Sequence, residues 1–337
     1  MTSNFVKPIF EHTPNGDLVL RRSRWRCVPT LPRTFIDILN NEFLRLESKY
    51  YDCLPDMSRA KTLLLGSDYS GESSNAHYIV YSFLLSSLES WAEWEQKRLI
   101  VRRQHLSDFR RMSFKQLSDG QRKRALLPFL EAANTLEGLS FSIVLNKRCK
   151  SIFADSPPLD LSNPQFAAYR KWKIGPLEKA FFILHVIGLL LGGLAVPGQN
   201  VLWFTDEDNI AANDDRIREL TNLFAWISSM YLTFTLGHCR CGTSRCDDGS
   251  RQIEDFLAIP DIIAGALAEQ MEVKVTDPPE FENIFWMQRG DLAAKTRRIT
   301  WWFSNSGQPL KRLVCFVDPS KDGNGHKLSW IHFYNQE

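Results

Sequence analysis

Three aspartates, Asp68, Asp206 and Asp261, sit where an apolar run ends or is interrupted. In KTLLLGSDYSGE (61–72), Leu63–Leu65 is short and apolar enough to be a buried strand, and Ser70-Gly71 is turn chemistry. An acid at that junction lies at a sheet's end, beside any cleft there. On this stretch alone, an Asp68 that merely starts the turn fits equally well. The run VLWFT (201–205) ends in Asp206-Glu207-Asp208. In DFLAIPDIIAGALAEQ (255–270), Asp261 is an acid set among apolar residues of helical spacing. Such an acid is costly unless it is paired or holds a metal. Glu178 follows Pro176 at the start of an apolar helix, where the dipole favours a carboxylate. A surface Glu kept there by the dipole alone fits that position as well.

Carboxylates that converge at strand ends suit hard cations. Mg²⁺ takes oxygen ligands in octahedral geometry and keeps several waters. Two such ions about 4 Å apart can activate an attacking water and stabilise a leaving oxygen, with no side-chain nucleophile.

The elements that would position these acids can be read in order. Arg33–Tyr51 has helical spacing. Residues 61–70 and HYIVYSFLLSS (77–87) read as two antiparallel strands, and Leu88–Phe114 as a long helical region. LSFSIVLN (139–146) is a third strand, AFFILHVIGLLLGGLAV (180–196) lies in a helix, and VLWFT is a fourth strand. Asp214–Met230 reads as a helix, YLTFTL (231–236) as a fifth strand, and GHCRCGTSRCDDGS as a polar loop before a last helix. Pro260 predicts that this last helix starts near Leu257–Ile259 or kinks there. Beyond Glu272, RRITWWFSNSG, LKRLVCFVDPSKDGNG and KLSWIHFY read as three strands.

Composition sets limits. The 337 residues are 44% hydrophobic and 24% charged, an ordinary folded chain. A net charge of +2 does not by itself imply nucleic acid, so a basic partner site needs local clustering. Such a cluster spans Lys97–Arg124 and includes Arg102, Arg103, Arg110, Arg111, Arg122, Lys123 and Arg124, interleaved with aromatics. It suits a phosphate backbone, or else a solvated helix face. Seven scattered Cys in an odd count read as reduced, so a cytoplasmic setting is expected. MTSNFVKPIFEH lacks the apolar core of a signal peptide. The apolar helix just reaches the lower length limit for a membrane span and reads as a buried core helix, with no stable membrane insertion. Its Gly188, Gly192 and Gly193 would suit close packing against a sheet, and His185 reads as a satisfied core histidine. Zn²⁺ at His238, Cys239, Cys241 and Cys246 is disfavoured, because C-x-C is tighter than zinc-site spacing. There is no P-loop, G-x-G-x-x-G or G-x-S-x-G.

The element order is that of an RNase H-like domain. The chain also resembles the bacterial family called domain of unknown function 3800, whose members carry Asp-Glu-Ser-Gly after the first strand and Ala-Asp-Leu-Ile-Ala on the last helix. Here the counterparts are Asp68-Tyr69-Ser70-Gly71 and Pro260-Asp261-Ile262-Ile263-Ala264, with Asp206 after the fourth strand. Tyr69 stands where the family has Glu, and Pro260 where it has a small residue. The resemblance covers about 61–270.

The expectation is therefore an α/β chain with a mixed five-stranded RNase H-like sheet and flanking helices. Residues 1–60 form an extension, 61–270 the core with a basic helical insert at 88–135, and 271–337 a β-rich extension. The expected activity is phosphodiester hydrolysis of DNA or RNA with Mg²⁺ or Mn²⁺. Asp68, Glu178, Asp206 and Asp261 are the expected catalytic acids, with Glu72 and Asp208 as further ligands. A protein partner or homo-oligomer is compatible with all of this. Tyr69 and Pro260 motivate the alternative, a catalytically inactive module that binds nucleic acid or protein.

Overall fold

A computed structural model describes residues 9–12, 18–21, 23–32, 34–50, 52–149, 160–272, 283–287, 292–305, 307–320 and 325–334. A hairpin, β1 (Ile9–His12) and β2 (Leu18–Arg21), precedes α1 (Phe35–Lys49). Thr34 caps α1 by accepting from the Asp37 amide, and Phe35, Leu39, Phe43 and Leu46 are its buried stripe. Trp25 stacks on Phe43 with ring centroids 4.1 Å apart. Residues 23–60 thus contribute to the main core, where an extension was expected.

Next come β3 (Thr62–Ser70), β4 (Tyr78–Ser87), α2 (Trp91–His105), α3 (Gly120–Ala133) and β5 (Gly138–Asn146). Then follow α4 (Ile174–Leu194), β6 (Asn200–Thr205), α5 (Asp214–Ser229), β7 (Cys239–Thr243) and α6 (Gln252–Glu272). The chain ends with β8 (Asn283–Met287), α7 (Ala294–Ser304), β9 (Leu310–Pro319) and β10 (His326–Tyr334).

One eight-stranded sheet organises the described residues, in the order β7-β6-β3-β4-β5-β9-β10-β8. β3 pairs antiparallel with β4 and parallel with β6, β4 pairs antiparallel with β5, and β6 pairs parallel with β7. Four of the five expected strands are present as β3, β4, β5 and β6, and the fifth place is taken by β7. The C-terminal segment adds β9, β10 and β8 beyond β5, so the sheet is wider than the five strands expected. Helices α1, α4 and α5 cover one face with one apolar core, and α2, α3, α6 and α7 cover the other. Leu63 and Leu65 belong to the first core and Leu64 to the second, because alternate strand residues point to opposite faces.

Several expected elements differ. The fifth strand is Cys239–Thr243, inside the stretch read as a polar loop, and YLTFTL forms turns. Parallel pairing from Val201↔Cys239 to Thr205↔Thr243 decides this, against the stronger strand propensity of YLTFTL. RRITWWFSNSG lies largely in α7 rather than in a strand. Its buried Thr296, Ile299, Thr300 and Phe303 follow a helical period, and Trp302 donates to Asn134 Oδ1 at 2.8 Å. The region Leu88–Phe114 is not one helix, since α2 ends at His105. The last helix starts at Gln252 and passes through Pro260, earlier than the start expected from that proline.

Helix α4 is, among the described residues, the one helix long and apolar enough to cross a membrane, yet 89% of its apolar window is buried inside the fold. Gly188, Gly192 and Gly193 meet Tyr231, Val28 and Trp25 rather than a sheet. His185 bonds through Nδ1 to the Tyr231 hydroxyl, and burial pulls its pKa down to about 4.

Candidate active site

Asp68 is the seventh residue of β3, on the face of the sheet that α6 covers. Asp261 lies on α6, and its carboxyl faces that of Asp68 closely enough for the two to interact. Burial and the facing Asp261 push the Asp68 pKa well up. Burial also raises that of Asp261, against the opposing pull of the Phe114 amide and Arg111. Two carboxyls in such contact titrate as a pair and share one proton.

The Phe114 amide donates to Asp261 Oδ2 at 2.8 Å. That contact depends on Gly265, one turn further along α6. A Cβ there would fall 2.2 Å from the Phe114 ring, so only glycine lets the chain before α3 come this close.

Asp206 follows β6, whose last residue pairs with Ser67 of β3, so it arrives next to Asp68. Arg111 Nη2 lies 3.2 Å from Asp206 Oδ1, and the Glu207 amide donates to the same oxygen at 3.0 Å. Asp68, Asp206, Asp261, Arg111, Phe114, Lys115 and Gln116 line one side of a cleft of about 570 Å³.

The other side is built from α4. Lys179, 8% exposed, places Nζ 2.5 Å from Asp208 Oδ2 and 2.6 Å from Glu72 Oε1. The same nitrogen lies 4.4 Å from the centre of the Tyr69 ring. Tyr69 is directed away from Asp68 by strand alternation, and its hydroxyl bonds Ser67 Oγ at 2.7 Å. The position where the resembled family has Glu thus carries a ring beneath an ammonium.

The expected acids divide accordingly. Asp68, Asp206, Asp261, Glu72 and Asp208 all line the cleft. Glu178 does not; the next residue, Lys179, does. Glu72 and Asp208, expected as metal ligands, are bound to that lysine. Sequence reasoning passed over Lys179, although a charge inside an apolar helix start is the same signal that marked Asp261.

The basic cluster divides as well. Arg102 is buried, with Nε 2.5 Å from Asp255 Oδ2, so it does not face a nucleic acid as expected. Arg110 is held by Asp108 and by Asp119 at 2.7 Å. Arg122 Nε donates to the Arg111 carbonyl at 2.7 Å. Arg103, Lys123 and Arg124 are exposed, and of the cluster only Arg111 and Lys115 line the cleft.

Among the described residues no group of three or more His, Cys, Asp or Glu side chains stands in a metal-holding arrangement. Asp68 and Asp261 form a pair, and Asp206 is engaged by Arg111. The donor chemistry nevertheless fits a hard divalent cation: two carboxyls, oxygen only, sharing a proton that a cation would displace. His238 precedes β7, Cys239 and Cys241 lie on it, and Cys246 follows it. Burial pushes the Cys239 thiol up to about 12 and that of Cys241 higher, which opposes the thiolates zinc requires.

The strands are ordered β7-β6-β3-β4-β5, with acids near the end of β3, after β6 and on α6. This mixed α/β arrangement is consistent with an RNase H-like fold. No protein-family model matches the chain, so the resemblance to domain of unknown function 3800 has no such match behind it, and no curated protein matches either. Among solved structures, the ribonuclease H2 of Pyrococcus horikoshii OT3 aligns with a TM-score of 0.33 at 13% identity, covering 72% of this chain and 86% of that one. At that distance the chemistry of this cleft rests on its own residues.

Proposed function

We propose that the cleft hydrolyses phosphodiesters of DNA or RNA with a divalent cation, Mg²⁺ or Mn²⁺. The observation that carries this reading is the meeting of Asp68, near the end of β3, with Asp261 of α6 in one cleft, where desolvation is the main cause that raises both carboxyl pKa values. The two carboxylates would hold the ion, which supplies an activated water and charge stabilisation when bound. Asp206 is the third acid within reach, released when Arg111 turns to a phosphate. Arg111 and Lys115 are the cleft's contacts to the nucleic-acid backbone.

The test is cleavage of labelled single- and double-stranded DNA and RNA with Mn²⁺, with chelator, and with Asp68→Asn. Metal-dependent cutting that is lost in the variant, with its fold unchanged, is the expected result. Equal cutting by wild type and Asp68→Asn removes Asp68 from the mechanism.

A second reading has its own observation. Arg111 on Asp206 and Lys179 on Asp208 and Glu72 neutralise three of the cleft's acids. In that reading the chain binds nucleic acid or a protein without cutting, and binding survives chelation of divalent metal.

A further inference from the structure

We infer that Lys179 Nζ occupies the place of a second cation, so that the cleft takes one divalent ion and not two. The inference rests on the metal-dependent reading above and names what fixes its metal count.

Five carboxylates line the cleft, in two sets. Asp68 and Asp261 face each other, with Asp206 beside them. Glu72 and Asp208 are separate and converge on one nitrogen, at 2.6 and 2.5 Å. Two carboxylates directed at a single point form a cation site, and here the cation is an ammonium supplied by the chain. Its third neighbour is the face of Tyr69, which also favours positive charge.

The ammonium is not free to leave. Lys179 is itself buried on α4, flanked by the core residues Leu177 and Ala180, and reaches out to Glu72 and Asp208 at the cleft wall. Were a divalent ion to displace it from Glu72 and Asp208, a lysine that is only 8% exposed would lose both carboxylate partners. Breaking a buried ion pair by taking away one side leaves an uncompensated charge and is strongly unfavourable. Lys179 is thus a positioning residue: it holds positive charge opposite the Asp68–Asp261 pair and excludes a second ion from that half of the cleft.

The experiment is a Mn²⁺ titration of the full chain by calorimetry, with bound Mn²⁺ counted by electron paramagnetic resonance. Wild type is expected to bind one equivalent, lost in Asp68→Asn/Asp261→Asn. Lys179→Ala is expected to bind two, with the second lost again when Asp208→Asn is added. Two equivalents in wild type, or one in a folded Lys179→Ala, overturns the inference.

Should Lys179→Ala not fold, Glu72→Gln/Asp208→Asn decides. An unchanged single equivalent supports the inference, and its loss means that those carboxylates ligate the ion and overturns it. If wild type binds none while Lys179→Ala gains one that Asp208→Asn abolishes, the metal reading of Asp68 and Asp261 fails and the assignment of Lys179 stands.

Discussion

Arg102 Nε and Asp255 Oδ2 lie 2.5 Å apart with both side chains buried, and Arg98 Nη1 reaches the same oxygen at 2.8 Å. A segment with the sequence signature of a nucleic-acid surface is therefore partly an internal brace, joining α2 to the start of α6. The brace anchors the first turn of α6, with Asp255 six residues before Asp261.

Removing the shared acid should cost far more than removing a surface charge. Asp255→Ala leaves buried Arg102 without its carboxylate and Arg98 with that of Glu95 alone, and about 3–5 kcal/mol of stability should be lost. Urea unfolding of the variant measures this. A loss below about 1 kcal/mol, the range of an exposed pair, would contradict the buried brace.

Binding should separate the basic residues. Arg111→Ala is expected to weaken nucleic-acid binding and to lower the slope of log K against log salt by about 1, the mark of one lost phosphate contact. Fluorescence anisotropy across a salt series reads both quantities. An unchanged slope would remove Arg111 from the interface.

The Asp68–Asp261 pair predicts a pH dependence of stability. Both pKa values are raised in the folded state, Asp68 strongly. A raised carboxyl pKa means that the folded state holds its proton more tightly than the unfolded chain does. That stabilisation is complete below the ordinary carboxylate range and is lost as pH rises through the folded-state values. Asp68→Asn should flatten this decline, and Mn²⁺ should raise the melting temperature more at pH 8 than at pH 5. Thermal melts of wild type and variant across that range check both, and parallel pH profiles would count against a shared proton.

Gly265→Ala should act on the cleft through packing. The added methyl meets the Phe114 ring and displaces the amide that holds Asp261. A stability loss of about 1–3 kcal/mol is expected, together with weaker Mn²⁺ binding. Calorimetry on the folded variant separates the two effects. Unaltered Mn²⁺ affinity would show that the Phe114 amide does not position Asp261.

The sequence by itself determined four of the core strands and put Asp68 and Asp206 at strand ends and Asp261 on the last helix. Local signals suffice for these: a short apolar run, a turn, and an acid where burial is costly. It also marked His185 as a core residue and α4 as a helix, since their apolar surroundings are contiguous in the chain.

Only the tertiary structure decided the rest. Cys239–Thr243 is a strand because β6 offers it a hydrogen-bonding edge, although YLTFTL has the better composition. RRITWW becomes a helix because Ile299, Trp302 and Phe303 find the core beside α6. Arg102 points inward because Asp255, far along the chain, arrives buried next to it. Lys179 faces the cleft where Glu178 was expected, since a shift of one residue turns a helical side chain by about 100° and only packing fixes the rotation. Charge partners separated by many residues leave no local pattern, so which acids stay open to a cation is settled in three dimensions.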